Sequence, residues 1–185
     1  MKVQVVPYSS NWPDDYAFEA ARIHRALGDI VARIHHIGST AIPGIHAKPI
    51  IDILLEVQNL EILDSGSSGL VKLGYEVKGE FGIPGRRYFR KDAPDGVRTH
   101  QIHAFEQGSP GSERHLAFRD YMISHPQIAQ SYSLLKRRLA AASADKEAYM
   151  DGKDAFIRKH EAKAVIWSRG LRPLEQAEPD LPLKR

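Results

Sequence analysis

The 185-residue chain contains no cysteine. Disulfide cross-links, a thiol nucleophile and Cys-ligated zinc are therefore excluded, and a reducing, cytoplasmic setting is expected. No apolar run approaches the roughly 18 residues that a membrane-spanning helix needs, and Met1-Lys2-Val3-Gln4-Val5-Val6-Pro7 lacks the apolar core of a signal peptide. A strong excess of one charge is missing too. The 26 basic and 23 acidic residues leave a net +3, which permits anionic ligands but does not make nucleic acid a default partner. Nothing repeats at a fixed period. There is no Gly-x-Ser-x-Gly elbow, Walker loop, Gly-x-Gly-x-x-Gly fingerprint or His-Glu-x-x-His helix, which removes the commonest hydrolase, P-loop and dehydrogenase readings.

What the chain does have is an ordinary soluble composition, 42% apolar and 26% charged, with enough length to bury a core. Lys2–Val6 is a short candidate strand stopped by Pro7. Ser9, Ser10 and Asn11 are candidate caps for a helix starting near Trp12, with Pro13 in its first turn, Asp14 and Asp15 favoured by the dipole, and Gly28 ending it. Trp12, Tyr16, Ala20, Ile23, Leu27 and Ile30 follow helical spacing, so this helix packs on one face. Ile30–Ile37 reads as a strand. Leu60–Leu73 reads as a helix broken at Ser65-Gly66-Ser67-Ser68-Gly69. Gly74–Lys78 restarts strand character, and Gly79–Gly85 is a loop. Arg86–Lys91 and Val97–Phe105 form a hairpin across Ala93-Pro94-Asp95-Gly96. Three helices follow, over Ser112–Ser124, Pro126–Ala142 and Asp145–Trp167. The order predicts an α+β domain over residues 1–169 with helices last, and a flexible, proline-containing tail over 170–185.

The central stretch runs from His35 to Val57. It reads as a strand end, a Gly38-Ser39 turn, an excursion broken by Pro43 and Gly44, and then a strand apolar on both faces except for an aspartate near its start. An unpaired carboxylate is costly there, so Asp52 needs a reason. Glycine lets backbone approach a ligand closely, and Ser39 can add a hydroxyl to the turn's N–H donors around a phosphate. A plain tight turn is the competing reading of the dipeptide. Asp52 and Glu56 share a strand face with Leu54 between them, at a separation long for one shared metal ion. Asp52 is the better ligand candidate; Glu56 alternatively reads as a surface charge at a strand end.

His100 and His103 fall on opposite faces of their strand, as do His35 and His36, so at most one of each pair can join one site. His103 is the favoured member of its pair. Lys48, Arg86, Arg87, Arg90 and Arg98 supply positive charge near these strands. Lys136-Arg137-Arg138 reads as a surface run of which one member can face the sheet. Tyr132 and Lys136 lie one turn apart, as do Tyr149 and Lys153. Each pair sets a phenol and an ammonium against a ligand, or else is a core tyrosine under a snorkelling lysine.

Taken together these residues resemble the GrpB family (UPF0157) of small bacterial proteins, within the nucleotidyltransferase-like superfamily. The resemblance rests on His36-Ile37-Gly38-Ser39-Thr40-Ala41-Ile42-Pro43-Gly44, Lys48-Pro49-Ile50-Ile51-Asp52-Ile53, Arg87-Tyr88-Phe89, His100-Gln101-Ile102-His103, Phe118-Arg119-Asp120-Tyr121 with His125-Pro126, and Tyr132 with Lys136. It implies a mixed sheet with flanking helices in which a Gly-Ser turn holds a triphosphate beside a strand whose carboxylates hold magnesium. Gly38, Ser39 and Asp52 match that pattern. Leu54 stands where the second carboxylate belongs, and His103 where a third is expected.

The resulting expectation is a nucleotide or phosphorylated ligand bound by Gly38, Ser39, Thr40, Lys48, Arg87 and Lys136. Mg²⁺ would sit on Asp52 with Glu56 or His103, and Asp52 and His103 would be the catalytic groups of a possible nucleotidyl transfer. The alternatives are a non-catalytic nucleotide- or anion-binding regulatory module, and, more weakly, an RNA-binding protein using the basic hairpin and Lys136–Arg138. Fusion of this module to dephospho-coenzyme A kinase in some family members implies a link to coenzyme A metabolism.

Overall fold

The computed structural model describes residues 3–143 and 145–170. Helix α1 (Trp12–Leu27) carries Pro13 in its first turn with Asp14 and Asp15, buries Trp12, Ile23 and Leu27, and stops at Gly28, whose φ of +54° suits a residue without Cβ. Strand β1 (Val31–Ile37) follows a short 3-10 turn. The chain then makes a 3-10 turn over Ser39–Ala41 and an irregular excursion, and returns as β2 (Ile51–Val57). The expected broken helix is two short ones, α2 (Leu60–Gly66), capped by the Asn59 side chain, and α3 (Ser68–Lys72). After them come β3 (Glu76–Val77), β4 (Arg87–Asp92), β5 (Arg98–Glu106), α4 (Pro110–Ser124), α5 (Pro126–Ala142) and α6 (Lys146–Ser168).

The five strands form one mixed sheet in the order β1-β2-β5-β4-β3. β2 pairs antiparallel with β1 and parallel with β5, while β4 pairs antiparallel with β5 and β3. β2 and β5 are thus interior strands, which explains why β2 is apolar on both faces. One face of β2 (Ile51, Ile53, Leu55, Val57) packs with Ile23 and Leu27 of α1, Leu63 and Leu70 of α2 and α3, and Phe89, Ile102 and Ala104 of the sheet. The other face carries Asp52, Leu54 and Glu56. There Leu54 joins Ile37 and Phe105 in a smaller apolar cluster. The last three helices have a core of their own, with Ala117, Tyr121 and Met122 of α4, Ala129 and Tyr132 of α5 and Ala164 of α6. Ile42 and Ile45 from the excursion plug into it.

Two expectations change. The N-terminal strand shrinks, among the described residues, to a single bridge between Val6 and Ala47, because its only pairing partner is the Pro/Gly-broken excursion, which offers no continuous ladder. The tail from Leu171 onward lies outside the described residues. Among those described, no helix is long and apolar enough to cross a membrane.

Candidate functional site

The site starts with the register of β1 on β2, which sets Ile37 opposite Asp52 and leaves Gly38 beside that carboxylate. Gly38 has φ +70°, and a Cβ there would lie 2.9 Å from both Cβ and Cγ of Asp52. Only glycine serves at this position, on grounds of both conformation and space. The turn that follows is fastened from below. Thr40 is buried and its hydroxyl donates to the Ile50 carbonyl at 3.3 Å, while His36 Nε2 lies 2.9 Å from Thr40 Oγ1. His36 stacks on Tyr16 at 4.7 Å, and its backbone carbonyl accepts from Arg119. Burial lowers the His36 pKa to about 4, the nearby Arg119 adding to the effect against the pull of Asp52. His36 is therefore neutral at pH 7, and the Thr40 hydroxyl is committed to holding the loop rather than offered to a ligand.

The excursion is anchored to α5, where Ser133 Oγ accepts from the His46 amide at 2.9 Å and Gln130 donates to the Gly44 carbonyl. This anchoring carries Lys48 to the opening between sheet and helices. Its ammonium sits 4.5 Å from the centre of the Tyr149 ring. Lys136 and Lys153 reach the same opening from α5 and α6, 4.5 Å over Tyr132 and 4.8 Å over Tyr149. The cleft so formed has a volume of about 270 Å³, and Gly38, Ser39, Asp52, Gln101, His103 and His115 also line it. That is near the lower end of the sizes typical of small-ligand clefts.

Burial, followed by the charges of Lys153 and Lys146, lowers the Lys48 pKa to about 8. Burial and Lys153 bring Lys136 to about 7, against the opposing attraction of Asp52. Lys153 is lowered by burial as well. Lys136 is only 2% exposed, and its Nζ has no hydrogen-bond partner. A buried ammonium left without an acceptor is costly and unusual.

On the sheet side, His103 Nε2 faces Asp52 Oδ1 at 3.9 Å, while its Nδ1 lies 3.5 Å from an Arg86 guanidinium nitrogen. Arg86 also donates to the Phe81 and Glu80 carbonyls, so it pins the Gly79–Gly85 loop. A donor facing Nδ1 favours the tautomer with its proton on Nε2, towards Asp52. Gln101, in register with Asp52, accepts a 2.6 Å bond from the Tyr88 hydroxyl. Burial keeps His115 well below the usual histidine range, and its Nε2 is buried without a partner.

The cleft gathers Gly38, Ser39, Thr40, Lys48, Asp52, His103 and Lys136. Glu56 and Arg87 do not join it. Glu56 shares Asp52's face, but its carboxylate accepts from Ser112 Oγ at 2.5 Å and meets His35 Nε2 at 2.9 Å. It is a buried structural group and not the surface charge expected of a strand end. Arg87 turns outward into a two-pronged ion pair with Asp64 of α2, because its strand position faces the α2 side of the sheet. Among the described residues the one further carboxylate at the cleft, Glu161, is paired with Arg114 at 3.0 Å. Among the described residues no three His, Cys, Asp or Glu side chains are grouped to hold a metal ion.

His115 was not singled out, since a lone helical histidine carries no spacing signal. The Tyr149–Lys153 pair did carry one, matching Tyr132–Lys136, and only packing distinguishes a lysine that snorkels outward from one that points into a cleft.

Residues 2–163 match the family model described as GrpB protein. The UPF0157 protein YqkA of Bacillus subtilis is 44% identical over 170 residues, covering 91% of this chain and 49% of its own length; the chain thus spans about half of that relative. The crystal structure of GrpB from Enterococcus faecalis is 40% identical with a TM-score of 0.84, covering 90% of this chain and 99% of that one. Terminal uridylyl transferase 4 from Trypanosoma brucei, solved with bound dUTP, superposes with a TM-score of 0.54 at 12% identity, over 96% of this chain and 63% of that one. The fold, a mixed sheet with flanking helices, is shared with both of these structures. The match across nearly the whole folded region makes this chain a member of the GrpB family.

Proposed function

We propose that the cleft binds the polyphosphate of a nucleoside triphosphate, with Gly38 and Ser39 on one side and Lys48, Lys136 and Lys153 on the other. The observation that carries this reading is the convergence of three lysines on a cleft whose uncommitted carboxylate, Asp52, lies against a glycine turn. Three ammonium groups facing one carboxylate leave the opening short of negative charge, and a polyphosphate supplies it. The uridylyl transferase with bound dUTP shares this fold, which supports a nucleotide as the ligand class.

The residues present fit one Mg²⁺ ion and not two. Asp52 would hold it together with phosphate oxygens of the nucleotide, as Mg²⁺ sites commonly combine one or two carboxylates with substrate phosphates. When bound, such an ion would neutralise charge on the phosphates. Transfer of a nucleotidyl group to a hydroxyl or amine is the finer proposal. In it, the acceptor's oxygen or nitrogen bonds to the α-phosphorus as the bond to the departing pyrophosphate breaks, and the acceptor's proton passes to the Asp52 carboxylate, which His103 Nε2 faces at 3.9 Å. The competing reading is a binding module without turnover. It is favoured by Leu54, which fills the second carboxylate's place as a fully buried member of an apolar cluster.

Calorimetric titration with each nucleoside triphosphate plus Mg²⁺, and with coenzyme A for the metabolic link that the family suggests, checks the reading. Saturable binding of a nucleotide that weakens in Asp52→Asn is the expected result. No binding of any of them by the unmodified protein overturns it.

A further inference from the structure

We propose that the lysine cage of Lys48, Lys136 and Lys153 is a metal-independent site for a linear polyphosphate, pyrophosphate or triphosphate. This rests on the reading of the cleft as a phosphate site, and deepens it by assigning the affinity to the lysines and removing the divalent ion from the binding step.

The first ground is the charge inventory around Lys136 Nζ. That nitrogen lies over the Tyr132 ring of α5, and the charges of Lys153 on α6 and Asp52 on β2 act on it. Lys48 of the excursion, His103 of β5 and His115 of α4 line the same cleft, and Lys48 and Lys153 lie over the Tyr149 ring. Glu161 is spent on Arg114. Among these groups three lysine amino groups face one uncommitted carboxylate. Metal-dependent phosphate sites use carboxylates to gather cations that then hold the anion. Here Asp52 is the single uncommitted carboxylate at the cleft among the described residues, and lysine amino groups supply the positive charge.

The second ground is that Lys136 Nζ is buried, lines the cleft and has no hydrogen-bond partner. A phosphate oxygen is the acceptor it lacks. The tyrosine faces beneath the three ammonium groups stabilise cations without giving them a hydrogen-bond acceptor, so their N–H donors stay available to a ligand. Because burial and like charge hold Lys136 near 7 and Lys48 near 8, an entering anion restores their protonation. Near pH 8 about one proton is expected to enter with the ligand, and affinity falls as pH rises from about 7 to 10.

Isothermal titration with inorganic tripolyphosphate and pyrophosphate in EDTA tests the proposal. Repeating it in two buffers of different ionisation enthalpy reads the proton count. The expected result is saturable binding with proton uptake near pH 8. Lys136→Met should weaken it roughly 10- to 100-fold, the loss of one or more charge-assisted hydrogen bonds. Asp52→Asn should tighten it several-fold by removing a like charge, opposite to its expected effect on the Mg²⁺-nucleotide. If the Mg²⁺-nucleotide binds and tripolyphosphate in EDTA does not, the lysine cage proposal is overturned and the nucleotide reading stands. If neither binds, both fall. Tripolyphosphate binding that is unchanged in Lys136→Met would place the anion elsewhere and also overturn it.

Discussion

Asp52 and Glu56 lie on the same face of the same strand with Leu54 between them, and the fold treats them in opposite ways. Glu56 is 4% exposed and enclosed by Ser112, His35 and the backbone near Gly108. Asp52 keeps a quarter of its side chain open and has as its nearest ion-pairing group a histidine at 3.9 Å. A buried carboxylate with every acceptor used is a structural joint: it ties β2 to β1 and to the start of α4. A carboxylate at a cleft mouth, against a glycine turn that leaves no room for a Cβ and opposite a buried lysine without an acceptor, is poised for a ligand. The spacing of the two residues is uninformative on this point, whereas their partners separate them.

Substitution of the two carboxylates has the largest expected effect on this comparison. Glu56→Ala leaves His35 and Ser112 facing an empty acceptor site and is expected to cost about 2–5 kcal/mol in denaturant or thermal unfolding, from two hydrogen-bonding groups left without their buried acceptor. Asp52→Asn should cost little. The pH dependence follows the same division. Burial alone would raise the Glu56 pKa, but the hydrogen bonds from Ser112 and His35 outweigh it and hold the group below the ordinary glutamate range. The stability it contributes is thus fully present above about pH 4.5 and lost as pH falls through its folded-state pKa. Equal losses for both carboxylate variants, or an acid limb unchanged in Glu56→Ala, would erase the distinction.

A smaller effect is expected from Gly38→Ala. Its Cβ must displace the Asp52 carboxylate while the backbone remains at positive φ, which is worth about 1–3 kcal/mol of strain. The variant should lose nucleotide affinity together with stability, and normal affinity in a destabilised Gly38→Ala would show that the turn's contact with Asp52 is structural alone. The smallest effect belongs to Arg87→Ala. Its Asp64 partner is largely exposed, so a loss under about 1 kcal/mol is expected, with no change in ligand affinity. An affinity loss there would return Arg87 to the site from which its side-chain direction excludes it.

Much of the architecture was legible because its signals are local. Gly28, Pro126 and Asp145 mark helix boundaries through backbone conformation and capping, and the glycine-serine cluster at 65–69 breaks a helix through propensity. The antiparallel return that brings Asp52 back to the Gly38 turn was also foreseeable, since a short broken excursion joins two strands. The N-terminal strand was not foreseeable in its reduced form, because pairing depends on what lies across from it.

At the site the division is sharper. Gly38, Ser39, Asp52 and His103 could be singled out from residue type and strand parity, and Tyr132–Lys136 and Tyr149–Lys153 from helical spacing. The same reasoning placed Arg87 in the phosphate site and offered Glu56 as a metal ligand. A sequence carries parity and period, which fix the face on which a side chain emerges. It does not carry the distance from that face to groups on other elements. Whether an arginine meets Asp64 or a phosphate, whether a glutamate is already satisfied by Ser112 fifty-six positions away, and whether three lysines from a loop and two helices converge on one aspartate are decided by how α2, α4, α5 and α6 dock on the sheet. The chain by itself determined the elements, the glycine turn and the lone aspartate behind it. The tertiary structure alone decided which charges are committed and which are left to act, because partnership between charges depends on packing across elements far apart in sequence.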